Sequence, residues 1–164
     1  DVPAGSSFAA CVEETLRNGD WHIVHYGGHT HYDVQKSTGY VFFPGAGIQA
    51  VEPMTIDRFA MWLRSATRFV FLSSCTSAEE AFMFRLVKEG VPAILGFLWK
   101  VEDEMAREFA ICFYDRLFGD GEQSLEYACL QAKKEMHASH ADNPIWAAPV
   151  LVIQANYEEP RFAA

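Results

Sequence analysis

Two residues of this sequence have the type and setting that nucleophilic chemistry needs. Cys75 directly follows the apolar run 69–72 and the pair Ser73-Ser74, and His29 directly follows a strand-like stretch that ends in Gly27-Gly28. A free thiol with a pKa near ~8.5 is only a few per cent thiolate at neutral pH. A neighbouring imidazole can take its proton and later return it to a leaving amine. The segment Ser74-Cys75-Thr76-Ser77 also precedes a helix signal, because Ser77 followed by Glu80 forms a capping box. A helix start there favours the thiolate and offers free N–H groups. The same residues also suit a small polar loop holding a buried, inert cysteine. Local pattern does not separate the two.

The histidines are crowded. His22 and His25 fall on opposite faces of the first strand by alternation, and His29, His31 and Asp33 follow as H-x-H-x-D. His22 reads as a satisfied core or interface residue, while His25 faces either the core or the edge of a site. His137 and His140 end a helix, where a histidine suits the dipole. The H-x-H-x-D run is similar to the ligand motif of metallo-β-lactamase-like hydrolases, and two imidazoles with a carboxylate can bind zinc. A metal-dependent hydrolase using His29, His31 and Asp33 is therefore one rival reading, and a non-catalytic module that binds partners is the other. Against the metal, that motif continues with a further histidine where Val34 stands, and no H-E-x-x-H occurs. The expectation is a site with no metal and no cofactor.

The elements that must position these groups follow from periodicity. A helix is expected over 7–17, a strand over 21–26, a small strand over 40–43 and a helix over 56–66. The run 68–72 is apolar without alternation after its first residue, which suits a strand buried on both faces. A helix from the capping box to Lys88, a buried strand over 92–99, helices over 102–117 and 124–137, and a last strand over 150–153 complete the chain. This alternation predicts a mostly parallel sheet with helices on both faces. Functional groups in such sheets gather beyond the carboxyl ends of the strands. His29 and Cys75 each follow such an end.

Composition narrows the function classes. The chain has 164 residues, half of them hydrophobic, and fits one domain (1–164) with a real core. A formal net charge of −9 without clustered Lys or Arg speaks against direct nucleic-acid binding and tolerates basic peptides. No apolar run is long enough to span a membrane. The other cysteines, Cys11, Cys112 and Cys129, lie in helix-like stretches and read as reduced structural thiols of a cytoplasmic protein.

Four ordered segments carry a family resemblance. Val24-His25-Tyr26-Gly27-Gly28-His29 together with Val70-Phe71-Leu72-Ser73-Ser74-Cys75 resembles the CHAT family of caspase-like peptidases. So do Gly96-Phe97-Leu98-Trp99-Lys100-Val101-Glu102-Asp103, which is similar to separase as well, and Asn143-Pro144-Ile145-Trp146-Ala147-Ala148-Pro149-Val150. The resemblance implies an α/β fold, a caspase-like three-layer sandwich around a mostly parallel central sheet. It implies cysteine-endopeptidase activity through a thioester, with His29 and Cys75 as the catalytic pair. The oxyanion hole it implies uses the backbone N–H groups of Thr30 and Cys75, although the family usually has glycine where Thr30 stands. In separase-like relatives an acidic residue of the third motif meets a basic residue before the scissile bond, and Asp103 matches that position. Asp103 also opens a helix, where acids are expected on dipole grounds alone. Trp99 could line the same pocket or simply end a buried strand in the core.

The family fold usually has two strands before the histidine strand, and here one helix precedes it. The expectation is that the leading strands are missing from this chain. A larger parent protein with regulatory domains, or a partner chain, would then complete the sheet, because an open strand edge invites aggregation. The implied partner in catalysis is a specific protein substrate. The resemblance further implies a setting in regulated bacterial defence or cell-death signalling.

Overall fold

A computed structural model describes residues 7–46, 49–63, 65–74, 80–119 and 124–155. Cys75, Ser77 and the side chain of Glu80 lie outside the described residues. In chain order the first half forms α1 (Phe8–Asn18), β1 (Ile23–Gly27), β2 (Thr30–Asp33), β3 (Thr38–Pro44), β4 (Val51–Thr55) and α2 (Ile56–Ala60). The second half forms β5 (Phe69–Ser73), α3 (Glu80–Lys88), β6 (Ala93–Phe97), α4 (Asp103–Leu117), α5 (Leu125–Ser139), a short 3-10 turn (Pro144–Ala147) and β7 (Pro149–Ile153).

The central sheet has the order β1-β5-β6-β7. β1, β5 and β6 run parallel, and β7 closes the far edge antiparallel to β6. The non-alternating sequences of β5 and β6 have the predicted consequence. Phe69, Val70, Phe71 and Leu72 are all fully buried, as are Ala93, Ile94 and Leu95. One face of the sheet packs Phe69, Phe71 and Leu95 against α4 and α5 through Phe109, Phe113 and Leu125. The other packs Val70, Leu72 and Ile94 against Phe59 of α2 and Phe82 and Leu86 of α3. Helices, sheet and helices make the three layers of an α/β sandwich.

Two strands were not legible. β2 and β4 flank β3 in a separate antiparallel sheet of order β2-β3-β4. The H-x-H-x-D run is thus largely strand β2, a four-residue segment too short and too polar to show a period. β4 contains Pro53, which argues against a strand in general but is tolerated on an edge strand such as this one. β3 is longer than the small strand expected, with Gly39, Val41 and Phe43 turned inward.

The helix expected over 56–66 stops at Ala60. Its apolar spacing continues into a tightened turn, where the N–H of Trp62 donates to the Phe59 carbonyl and that of Leu63 to the Ala60 carbonyl. Leu63 still packs against the core from that turn, so the apolar spacing of Ile56, Phe59, Ala60 and Leu63 runs past the end of the helix. The other elements match their expected places within a few residues. Among the described residues no helix is long and apolar enough to cross a membrane.

Candidate active site

β1 and β5 are parallel neighbours, and their last paired residues are Gly27 and Ser73. The pairing runs one step further, since the Gly28 N–H donates to the Ser73 carbonyl at 3.4 Å. His29 follows Gly27 by two residues, and Cys75 follows Ser73 by two residues in the sequence. The imidazole therefore leaves the sheet at the carboxyl end of the strand beside the one that leads to the cysteine. Ser74, the last described residue before Cys75, is buried and turned back by its N–H onto the Leu72 carbonyl.

The backbone of His29 is held by a residue that the sequence reading passed over. Tyr26 is buried, and its hydroxyl lies 2.7 Å from the His29 carbonyl oxygen and 2.8 Å from that of Phe42. One phenolic proton serves these two acceptors, while the Phe42 N–H donates to the same hydroxyl at 3.0 Å. The Phe42 N–H also donates to the His29 carbonyl at 3.1 Å, which ties the histidine loop to β3. Burial pushes the Tyr26 phenol above its usual pKa, so it stays a neutral donor. Gly28 makes this possible. A Cβ at that position would lie 2.6 Å from the Tyr26 hydroxyl oxygen and 2.7 Å from the carbon bearing it. The paired glycines after a strand, with an aromatic residue just before them, were the available signal.

A cleft of about 590 Å³ opens beside His29. One wall is the edge of β1 and the loop after it, with His25, Gly27, Gly28 and His29, and Ser73 contributes from β5. The facing wall is α4, which contributes Asp103, Arg107 and Tyr114 among apolar residues such as Ala110 and Ile111. Asp103, from the third sequence motif, thus shares one cleft with His29. His25 lies flat on Phe71, with ring centroids 4.5 Å apart and planes at 12°. One side of its ring is covered and the rest stays open to solvent in the cleft. The covering lowers its pKa from the usual 6.5.

The model of the CHAT domain family matches residues 6–157, nearly the whole chain. The chain belongs to the CHAT family. CHAT is a caspase-like domain related to the cysteine peptidases, and the mixed α/β architecture with its mostly parallel sheet is consistent with that fold. Comparison with curated proteins finds no match.

Other residues singled out in the sequence take varied places in this CHAT domain. Thr30, the first residue of β2, follows His29 directly and pairs with Val41. Trp99 sits in the loop between β6 and α4 at 38% exposure, outside both the core and the cleft lining. His22 precedes β1 and is exposed, so it is not a core histidine. Its carbonyl accepts from the N–H groups of Arg68 and Phe69.

Asp33 accepts the Lys36 N–H at 3.0 Å and pairs with the Lys36 ammonium at 3.2 Å, and these bonds hold its carboxyl below the usual range. Its role is to close the β2–β3 turn. Among the described residues no three His, Cys, Asp or Glu side chains gather as a group that could hold a metal ion. His140 binds Glu108 at 2.9 Å and joins α5 to α4, and His137 meets the edge of Trp146. Cys11, Cys112 and Cys129 are free thiols.

Proposed function

We propose that this CHAT domain is a cysteine endopeptidase whose catalytic pair is His29 and Cys75. His29 takes the thiol proton, and the thiolate attacks the scissile carbonyl carbon. The backbone N–H groups of Thr30 and Cys75 receive the developing oxyanion, an interaction typically worth about 3 kcal/mol per donor. His29 then protonates the leaving amine and the thioester forms. A water molecule, activated by His29, hydrolyses it and restores the thiol.

The observation that carries this reading is the pairing of Gly27 with Ser73. It brings the strand that leads to His29 beside the strand that leads to Cys75, at their carboxyl ends. Asp103 supports a preference for cleavage after arginine or lysine, because its carboxylate lines the same cleft as His29. The metal reading has less support, since Asp33 is already engaged by Lys36.

β1 has a paired neighbour on one side only among the described residues. Our reading therefore includes a strand from a regulatory domain or a partner chain along its open edge. A role in regulated bacterial defence or cell-death signalling, in the cytoplasm, belongs to the same proposal and rests on the family resemblance. The test is cleavage of a protein or peptide substrate by the Cys75→Ala and His29→Ala variants. Loss of about 10²–10⁴-fold or more in kcat/KM for each supports the dyad. Retained cleavage in both would remove it.

A further inference from the structure

β1 turns half of its backbone toward a neighbour that the described residues do not supply. The His22 carbonyl accepts from the N–H groups of Arg68 and Phe69, and the Gly28 N–H donates to the Ser73 carbonyl. The even-numbered positions therefore face β5, and by the period of a strand Ile23, His25 and Gly27 point their N–H and C=O groups outward. Among the described residues no strand pairs with them. Gly27 adds open space, since a Cβ there would meet nothing within 4 Å.

α4 overhangs this edge. At about 100° per residue, Arg107, Ile111, Tyr114 and the cap residue Phe118 fall within roughly 60° of one another, in a line about 16 Å long. The five residues of β1 also span about 16 Å. Ile111 and Phe118 stay 48% and 41% exposed, so no described element covers the line. Tyr114 stacks on Phe118 and meets the His25 ring at 5.6 Å between centroids. Its hydroxyl is buried without a hydrogen-bond partner, although buried polar groups are nearly always satisfied. Arg107, on the same wall of the cleft, has no ion pair among the described residues.

We propose that the β1 edge and the overhanging line of α4 seat one strand of a partner, and that this strand presents a carboxylate side chain beside His25. Its backbone pairs with Ile23, His25 and Gly27 at the usual spacing of about 4.8 Å, which turns alternate side chains under α4. Apolar residues on that side lie against Ile111 and fill the space over Gly27. The carboxylate accepts from the Tyr114 hydroxyl and faces Arg107. Arg107 stands about 10 Å along the axis from Tyr114, a gap that its own long side chain and a glutamate close together. Asp103 lies one further turn away, and Asp115 projects about 100° round the helix from Tyr114, toward solvent that screens it. The seat rests on the open edge already proposed for β1, whereas the carboxylate and its recognition by α4 go beyond it.

The test adds two pools of blocked heptapeptides to the Cys75→Ala protein and follows amide exchange in β1 by NMR. Both pools alternate Thr or Lys with Val, Ile, Leu or Phe. The central position of the apolar side carries glutamate in one pool and glutamine in the other. The glutamate pool should slow exchange at Ile23, His25 and Gly27 about tenfold or more and leave Val24 and Tyr26 as they were. The glutamine pool should need about tenfold more peptide for the same protection. Arg107→Gln and Tyr114→Phe should each remove most of that preference while the alternating protection persists. Absence of the alternation with either pool would overturn the seat together with the open edge of β1. Equal action of the two pools would overturn the carboxylate. Protection that grows with protein concentration in the absence of peptide would give the edge to a second copy and overturn the partner strand. None of these readouts requires turnover, so a failed peptidase reading would show separately, as hydrolysis that does not depend on Cys75.

Discussion

The Tyr26 hydroxyl lies 2.7 Å from the backbone carbonyl of His29, and through this contact β1 sets the place of the histidine that follows it. The bond to the Phe42 carbonyl anchors the same phenol to β3. The position of His29 thus depends on two sheets at once. Tyr26→Phe should remove the hydroxyl, which takes that donor from the Phe42 carbonyl and leaves the His29 carbonyl with the Phe42 N–H. The expected cost is about 1–3 kcal/mol in denaturant unfolding. A fall in kcat/KM should accompany it while Cys75 remains available to alkylation.

Gly28→Ala should act through the same contact from the other side. Its new methyl group must displace the phenol, which three hydrogen bonds and burial hold in place. Activity should fall at least as far as in Tyr26→Phe. Combining the two substitutions should be less than additive, since the smaller ring no longer presents the oxygen. A double-mutant cycle on kcat/KM checks this.

Asp103→Asn keeps the shape of the side chain and removes its charge. The first residue of α4 then loses a favourable dipole interaction of roughly 0.3–1 kcal/mol, so stability should barely change. Cleavage after arginine and lysine should fall relative to cleavage after uncharged residues. A positional peptide library scored against the native protein measures the ratio.

His25 makes stability depend on pH in a definite direction. Burial against Phe71 and Tyr114 lowers its folded pKa below 6.5, so just under that pH the unfolded chain binds a proton that the folded chain resists. Stability should therefore decline as pH falls through 6.5 and level off below the folded pKa. The effect is modest, because part of the ring is open to solvent. His25→Phe should flatten this slope in thermal melts taken between pH 7.5 and 5, roughly spanning the ordinary histidine range.

The cysteines should separate by reactivity. Burial raises the thiol pKa of Cys112, with the Glu135 carboxylate adding to it, and burial likewise raises that of Cys129. Both should react slowly with iodoacetamide at neutral pH, while a thiol activated by His29 should react first. Peptide mapping after a short exposure reads the order. Cys75 labelled no faster than Cys112 would speak against activation.

How much of this was legible follows from burial. β5 and β6 are covered on both faces, so their sequences are unbroken apolar runs and their places were readable. The carboxyl-end rule then drew attention to His29 and Cys75. β2 and β4 belong to a three-stranded sheet, and their four and five residues include His31, Asp33 and Pro53, which obscure any period. Tyr26 matters through tertiary contact. Tyr26 reaches Phe42, sixteen residues away, and no local spacing announces such a bond. Trp99 illustrates the opposite case, since a tryptophan after a buried strand suggested core or pocket, and the chain turns it outward before α4 begins.

The central claim is that Cys75 is the nucleophile and His29 its base. The most direct measurement is covalent capture with a peptidyl acyloxymethyl ketone carrying arginine next to the warhead, located by mass spectrometry. The account predicts a single adduct on Cys75, formed at least tenfold more slowly in His29→Ala and competed by substrate. An adduct on another cysteine, or equal labelling rates with and without His29, would contradict it.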